Sequence, residues 1–87
     1  MIKGITMSGF EYEIDEKTFD DMEMLDMIVS VEENPLVLGK LIEKTLGEDG
    51  KKRLYDHLRE ADGRVPIEKV NDALVEIMNG AGDEGKN

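Results

Sequence analysis

Proline and glycine cut this chain into pieces too short for any large layer. Pro35 follows Asn34, Pro66 follows Asp62-Gly63-Arg64-Val65, Gly47 follows Leu46, and Gly80 opens a glycine-rich end. Proline fixes φ and lacks a donor, so it opens helices. Glycine after an apolar run takes the left-handed position that closes them. Between these marks the apolar residues recur at three- and four-residue spacing, which predicts helices over about 19–33, 35–46, 51–61 and 66–79. Thr18 or Asp20 is expected to cap the first helix and Asn34 the second, with Pro35 at its first position. Gly47 is expected to close the second helix, Asp62-Gly63 the third and Gly80 the last. Short connections favour antiparallel neighbours. The expected fold is all-α: a small bundle of about four helices forming one domain over 1–79, with an extended segment over 1–17 and a disordered, flexible tail over 80–87.

Two segments depart from plain helix patterning. Phe10, Tyr12 and Ile14 alternate with acidic residues, so residues 8–16 read as an extended stretch with one buried face. A lone strand has no sheet to join, so it lies along the helices or pairs with a second copy. The first helix carries two apolar sets. Met22, Leu25 and Val29 share one face; Met24, Met27, Ile28 and Val31 share another. Together they cover more circumference than one core contact requires, so this helix is expected to be covered on two sides.

A chain of 87 residues fits one domain with a thin core. It has no cysteine, which excludes disulfides and thiol catalysis and points to the cytoplasm. It has no apolar run near 18 residues and no signal-peptide core, so no membrane association is expected. The net charge is −10, and residues 11–33 carry −9 of it, ten acids standing against Lys17. That balance repels phosphate and argues against nucleic-acid binding.

No constellation for catalysis, metal or cofactor emerges, so neither an enzyme nor a cofactor is expected. Residues 58–69 have a calcium-loop glycine in Gly63, but Leu58 and Lys69 stand at its first and twelfth ligand positions. His57 is the only histidine, and Ser8 and Ser30 lie in no nucleophile context. Asp20, Asp21 and Glu23 suit the positive end of a helix without any metal. There is no phosphate-binding glycine loop, and no Asp-Ser pair of the kind an acyl carrier needs.

Phe10-Glu11-Tyr12-Glu13-Ile14-Asp15, Asp20-Asp21-Met22-Glu23-Met24-Leu25, Tyr55-Asp56-His57-Leu58-Arg59 and Asp62-Gly63-Arg64-Val65-Pro66 follow one another in this order. Over roughly residues 8–79 the chain resembles the small tail assembly chaperones of long-tailed bacteriophages and prophages with non-contractile tails. The resemblance implies a non-enzymatic protein of the bacterial host cytoplasm, absent from the finished virion. Its partner would be the long helical tape measure protein, kept soluble while tube subunits polymerise around it. A frameshifted longer form would recruit the tail tube protein, and Gly85-Lys86 is a candidate slip site. Self-association into a homo-oligomer is expected. The candidate contacts are Met22, Met24, Leu25, Met27 and Ile28, flanked by Asp20, Asp21, Glu23 and Asp26. Methionine is flexible and polarizable, which suits a surface that takes many apolar sequences. His57, Leu58, Arg59 and Arg64 are expected to be structural. Residues 1–6 lie outside the resemblance, and Met7 is a second possible start. The alternative reading is an acidic DNA mimic that inhibits a host enzyme. It needs acids spaced along a surface like phosphates, whereas these are concentrated in one segment.

Overall fold

The alternation at Phe10, Tyr12 and Ile14 does form a strand, and its partner lies upstream. In the computed structural model, which describes residues 1–85 and side chains through Gly80, the N-terminal segment is an antiparallel hairpin. Strand β1 (Ile2–Ile5) pairs with β2 (Glu11–Ile14), with Ile2 opposite Ile14, Lys3 opposite Glu13, Gly4 opposite Tyr12 and Ile5 opposite Glu11. At the loop the Thr6 N–H donates to the Phe10 carbonyl and the Gly9 N–H to the Thr6 carbonyl, both at 2.9 Å, with Gly9 at φ 94°. This is the three-residue hairpin loop with a glycine bulge. Three helices follow among the described residues: α1 (Met22–Glu33), α2 (Leu38–Leu58) and α3 (Ile67–Gly85), with a 3-10 turn at Pro35–Val37. The all-α, four-helix expectation is therefore corrected to α+β. β1 escapes a hydropathy reading because its inward positions are Ile2, Gly4 and Thr6, while Ile5 points to solvent at 63% exposure. A chain starting at Met7 would lack β1 altogether.

Gly4 is small for a reason that lies across the sheet. A Cβ at Gly4 would overlap the Tyr12 phenol, and a Cβ at Gly80 of α3 would overlap the Tyr12 hydroxyl. The ring is buried between the two glycines. Gly80 therefore does not stop the last helix. It opens a seat for Tyr12, and α3 runs on to Gly85. Of the expected flexible tail, residues 86–87 lie outside the described residues.

The two middle helices expected from the sequence are continuous in α2, broken only at Gly47. Its φ of 80° and ψ of 169° are open to glycine and to almost nothing else. The chain kinks there, as a helix end would, but helix resumes at once, so Glu48-Asp49-Gly50 are no loop. The helix ends at Leu58 rather than Ala61. Asn34 accepts the Leu36 N–H at 3.2 Å on its side-chain oxygen, with Pro35 next, as the Asn-Pro pair predicts.

The core gathers Phe10, Tyr12 and Ile14 from the hairpin, Met24 from α1, Leu41, Ile42, Leu54 and Leu58 from α2, and Val70, Leu74 and Ile77 from α3. The hairpin packs β1 on α3 and β2 on α2, while α1 packs on α2. Thr45, buried in α2, donates its hydroxyl to the Leu41 carbonyl at 2.8 Å, which makes its burial tolerable. Among the described residues no helix is long and apolar enough to cross a membrane.

Overpacking a filled core typically costs about 1–3 kcal/mol. Gly4→Ala should lose stability of that order in chemical denaturation. Gly80→Ala gains helix propensity but overlaps the Tyr12 hydroxyl, so it should also lose stability. Removing that hydroxyl relieves the overlap, so Gly80→Ala with Tyr12→Phe should lose clearly less than the two single losses added together. Strict additivity would remove Tyr12 from this seat.

Candidate functional site

Helix α1 is positioned from both ends. Asp15 and Lys17 lead a pair of turns out of β2, with the Lys17 N–H on the Asp15 carboxylate at 2.8 Å. Asp21, not Thr18 or Asp20, is the cap: its side chain accepts the Glu23 N–H at 2.9 Å. The same carboxylate meets the Lys44 ammonium of α2 at 3.5 Å, tying the helix start to its neighbour. At the far end the Asn34 N–H closes on the Ser30 carbonyl at 2.7 Å.

The two apolar sets of this helix separate cleanly. Met24 is 1% exposed and belongs to the core, and Met27, Ile28 and Val31 are half-buried against it. Met22, Leu25 and Val29 are 67%, 51% and 48% exposed. At ~100° per residue these three fall within an arc of ~60°, roughly opposite Met24. They make an aliphatic stripe down the outer face of α1. Asp26 and Glu33 border it on one side and Glu32 on the other, all exposed. Asp20 and Glu23 are exposed near its N-terminal end. Of the nine expected contact residues, Met22, Leu25, Asp20, Asp21, Glu23 and Asp26 reach the surface. Met24 does not, and Met27 and Ile28 are only partly accessible. Val29, assigned no contact from the sequence, completes the stripe, and its seven-residue spacing from Met22 was the available signal. Beside it, a groove of about 330 Å³ runs between α1 and α2, with Glu23 and Asp26 on one wall and Lys40 and Lys44 on the other.

His57 proves to have a partner that sequence separation hides. Its Nε2 lies 3.1 Å from the Ser8 carbonyl and 3.2 Å from the Ser8 hydroxyl, and its ring stands 5.7 Å from Phe10. A carbonyl can only accept, so Nε2 carries the proton in that contact and is no base toward the hydroxyl. Asp56, next in sequence, turns its carboxylate to Arg59 at 3.2 Å. The arrangement pins the hairpin loop to the end of α2 and lacks the oriented acid that nucleophilic catalysis uses. Among the described residues no group of three or more histidine or acidic side chains is gathered as a metal would require.

The Arg59–Arg64 segment folds into a hydrogen-bonded turn. The Glu60 N–H donates to the Arg64 carbonyl and Arg59 Nη1 to the Gly63 carbonyl, both at 2.8 Å. Asp62 receives Arg64 Nε at 2.7 Å and the Arg64 N–H at 3.0 Å. These two contacts, the guanidinium first, hold its carboxyl below the usual aspartate range. The turn's residues serve one another, which gives the Asp-Gly-Arg-Val-Pro motif a structural role.

No protein-family model matches the chain, and no curated protein or solved structure shows a significant match.

Two outcomes check this assignment of faces. Met24→Ala should cost about 2–5 kcal/mol, as large-to-small core changes do. Leu25→Ser should leave the melting temperature nearly unchanged. Asp62 titrates with a depressed value in the folded protein, so its contribution exists above its unfolded value of about 3.9 and is lost as pH falls through the folded one. A carboxyl NMR titration should place its midpoint below that value, and Arg64→Ala should return it toward the ordinary one.

Proposed function

We propose that this chain is a tail assembly chaperone of a long-tailed phage or prophage with a non-contractile tail. It would be non-enzymatic, would work in the bacterial host cytoplasm, and would be absent from the finished virion. The observation that carries the reading is the Met22-Leu25-Val29 stripe on an acidic helix whose opposite face is anchored in the core. A tape measure protein is a long helical partner with apolar surface that aggregates when bare. An aliphatic helix face takes such a partner by side-by-side packing, and an unbranched methionine adapts it to varied sequences. The carboxylates around the stripe keep the complex soluble and repel other copies from the same face. A longer frameshifted form would add the segment that recruits the tail tube protein.

The stripe also separates this reading from the acidic-mimic alternative. A DNA mimic contacts its target through carboxylates, and a row of aliphatic side chains between them serves no such contact.

Co-expression with overlapping tape measure fragments should yield a soluble complex that survives high salt, because apolar contacts are not screened. Leu25→Asp should weaken capture about tenfold or more, the cost of withdrawing one well-buried aliphatic contact, with an unchanged circular dichroism spectrum. Capture that ignores Leu25→Asp and Val29→Asp, or that collapses with salt, would overturn the reading.

A further inference from the structure

We propose that the outer face of α1 selects its partner by charge: it takes an amphipathic helix that carries Lys or Arg on both flanks of an apolar stripe. This rests on the Met22-Leu25-Val29 surface of the proposed function and adds the chemistry of what covers it. The stripe is aliphatic and spans two helical turns, ~10 Å along the axis. Its borders are not neutral. At ~100° per residue Glu32 falls ~20° beyond Leu25, while Glu33 and Asp26 fall ~20° and ~40° beyond Met22. Glu23 continues the second border toward α2. All four acids are exposed, and α1 itself contains no basic residue.

The rest of the chain does not answer these carboxylates. Among the described residues no cation stands within ion-pair distance of Glu23, Asp26, Glu32 or Glu33. Exposed acids elsewhere do have such partners: Glu43 has Lys51, Asp49 has Arg53 and Asp56 has Arg59. Across the groove beside the stripe, Lys44 is held by Asp21 at 3.5 Å, and Lys40 forms no ion pair with the opposite wall. The face is therefore an apolar seam between two unanswered acidic borders.

That pattern fixes what can close over it. A helix packed side by side brings its own flanking side chains over both borders. Acidic flanks would set like charges together as water is excluded, and neutral flanks would leave carboxylates to lose hydration without return. Lys and Arg suit both parts of the surface. Their stems extend the apolar cover at the rim of the stripe, and their charged ends reach the carboxylates. A second copy of α1 is disfavoured by the same rule, since it would bring a matching pair of acidic borders.

Two synthetic peptides of about three heptads, long enough to hold a helix, test this. Both carry Leu at the first and fourth heptad positions. One has Lys at the fifth and seventh, the other Glu. In amide NMR titrations of the full chain, the Lys peptide should move Met22, Leu25 and Val29 most. It should bind at least about tenfold tighter than the Glu peptide. Asp26→Lys with Glu32→Lys and Glu33→Lys should invert that order. High salt should narrow the gap between the peptides without abolishing binding. Equal affinities overturn the proposal, as does failure of both peptides to bind, or an order that charge reversal leaves unchanged. A third peptide, with Lys kept and every Leu replaced by Ser, should not bind. If it binds as well as the first, the acidic borders attract any cation and the proposal fails. Should the charge-reversed chain lose its circular dichroism spectrum, Asp26→Asn with Glu32→Gln and Glu33→Gln serves instead. It should bring the two affinities together, and a gap that persists overturns the proposal. The two readings fail separately. Peptides bound alike, beside capture of tape measure fragments that depends on Leu25, overturn the charge rule alone. Peptides told apart, with no tape measure fragment captured, overturn the chaperone reading alone.

Discussion

The Tyr12 phenol, closed in between Gly4 and Gly80, is the contact on which the rest of the arrangement depends. It joins three segments that are remote in sequence: both strands of the hairpin and the distal part of α3. A ring that lies directly against backbone needs a residue without a side chain at the point of contact. The two glycines meet this requirement from opposite directions. Once the ring is seated, the hairpin has a fixed place over α2 and α3, and Phe10 and Ile14 point into the same core. His57 adds a second tie at the hairpin loop through the Ser8 carbonyl.

That placement decides what α1 is free to do. With the hairpin on one side and α3 completing the core, α2 needs only one further layer, and the face of α1 centred on Met24 supplies it. A second apolar face on the same helix has nothing left to cover within the chain. Met22, Leu25 and Val29 therefore stand in solvent among carboxylates. In a thin core every large apolar side chain inside contributes appreciably, yet these three stay outside and form one continuous aliphatic surface. The acidic charge of residues 11–33 lies beside that surface. It flanks the stripe on α1 and lines one edge of the hairpin.

Much of the chain was legible because local rules act alone there. Asn34-Pro35 opens a turn, Gly47 breaks a helix, and Val70, Leu74 and Ile77 mark a helix face. Each follows from backbone sterics or from a period of 3.6 residues, without reference to distant contacts. The alternation at Phe10–Ile14 was equally clear. Its partner strand was not, because Gly4 and Thr6 occupy inward positions where a strand pattern would show large apolar residues. Gly80 misled for the same reason. A glycine near the end of a helical pattern normally signals a stop, and only the presence of Tyr12 turns it into a cavity for a ring. Thr18 and Asp20 were the caps the sequence suggested; the turns out of β2 bring Asp21 before the first helical residue instead.

Composition and spacing by themselves determined that most of the chain is helical, that it carries an acidic segment and that one helix has more apolar surface than a single core contact uses. Those features are local sums and periodicities, carried in the order of residues. Tertiary structure alone decided that the fold is α+β, that Met24 faces inward while Met22, Leu25 and Val29 face out, and that Lys3 and Ile5 line one sheet edge while Glu11 and Glu13 line the other. These are choices between faces and partners that one-dimensional patterns leave equal. They are settled by which surfaces can be buried together in a single close-packed interior.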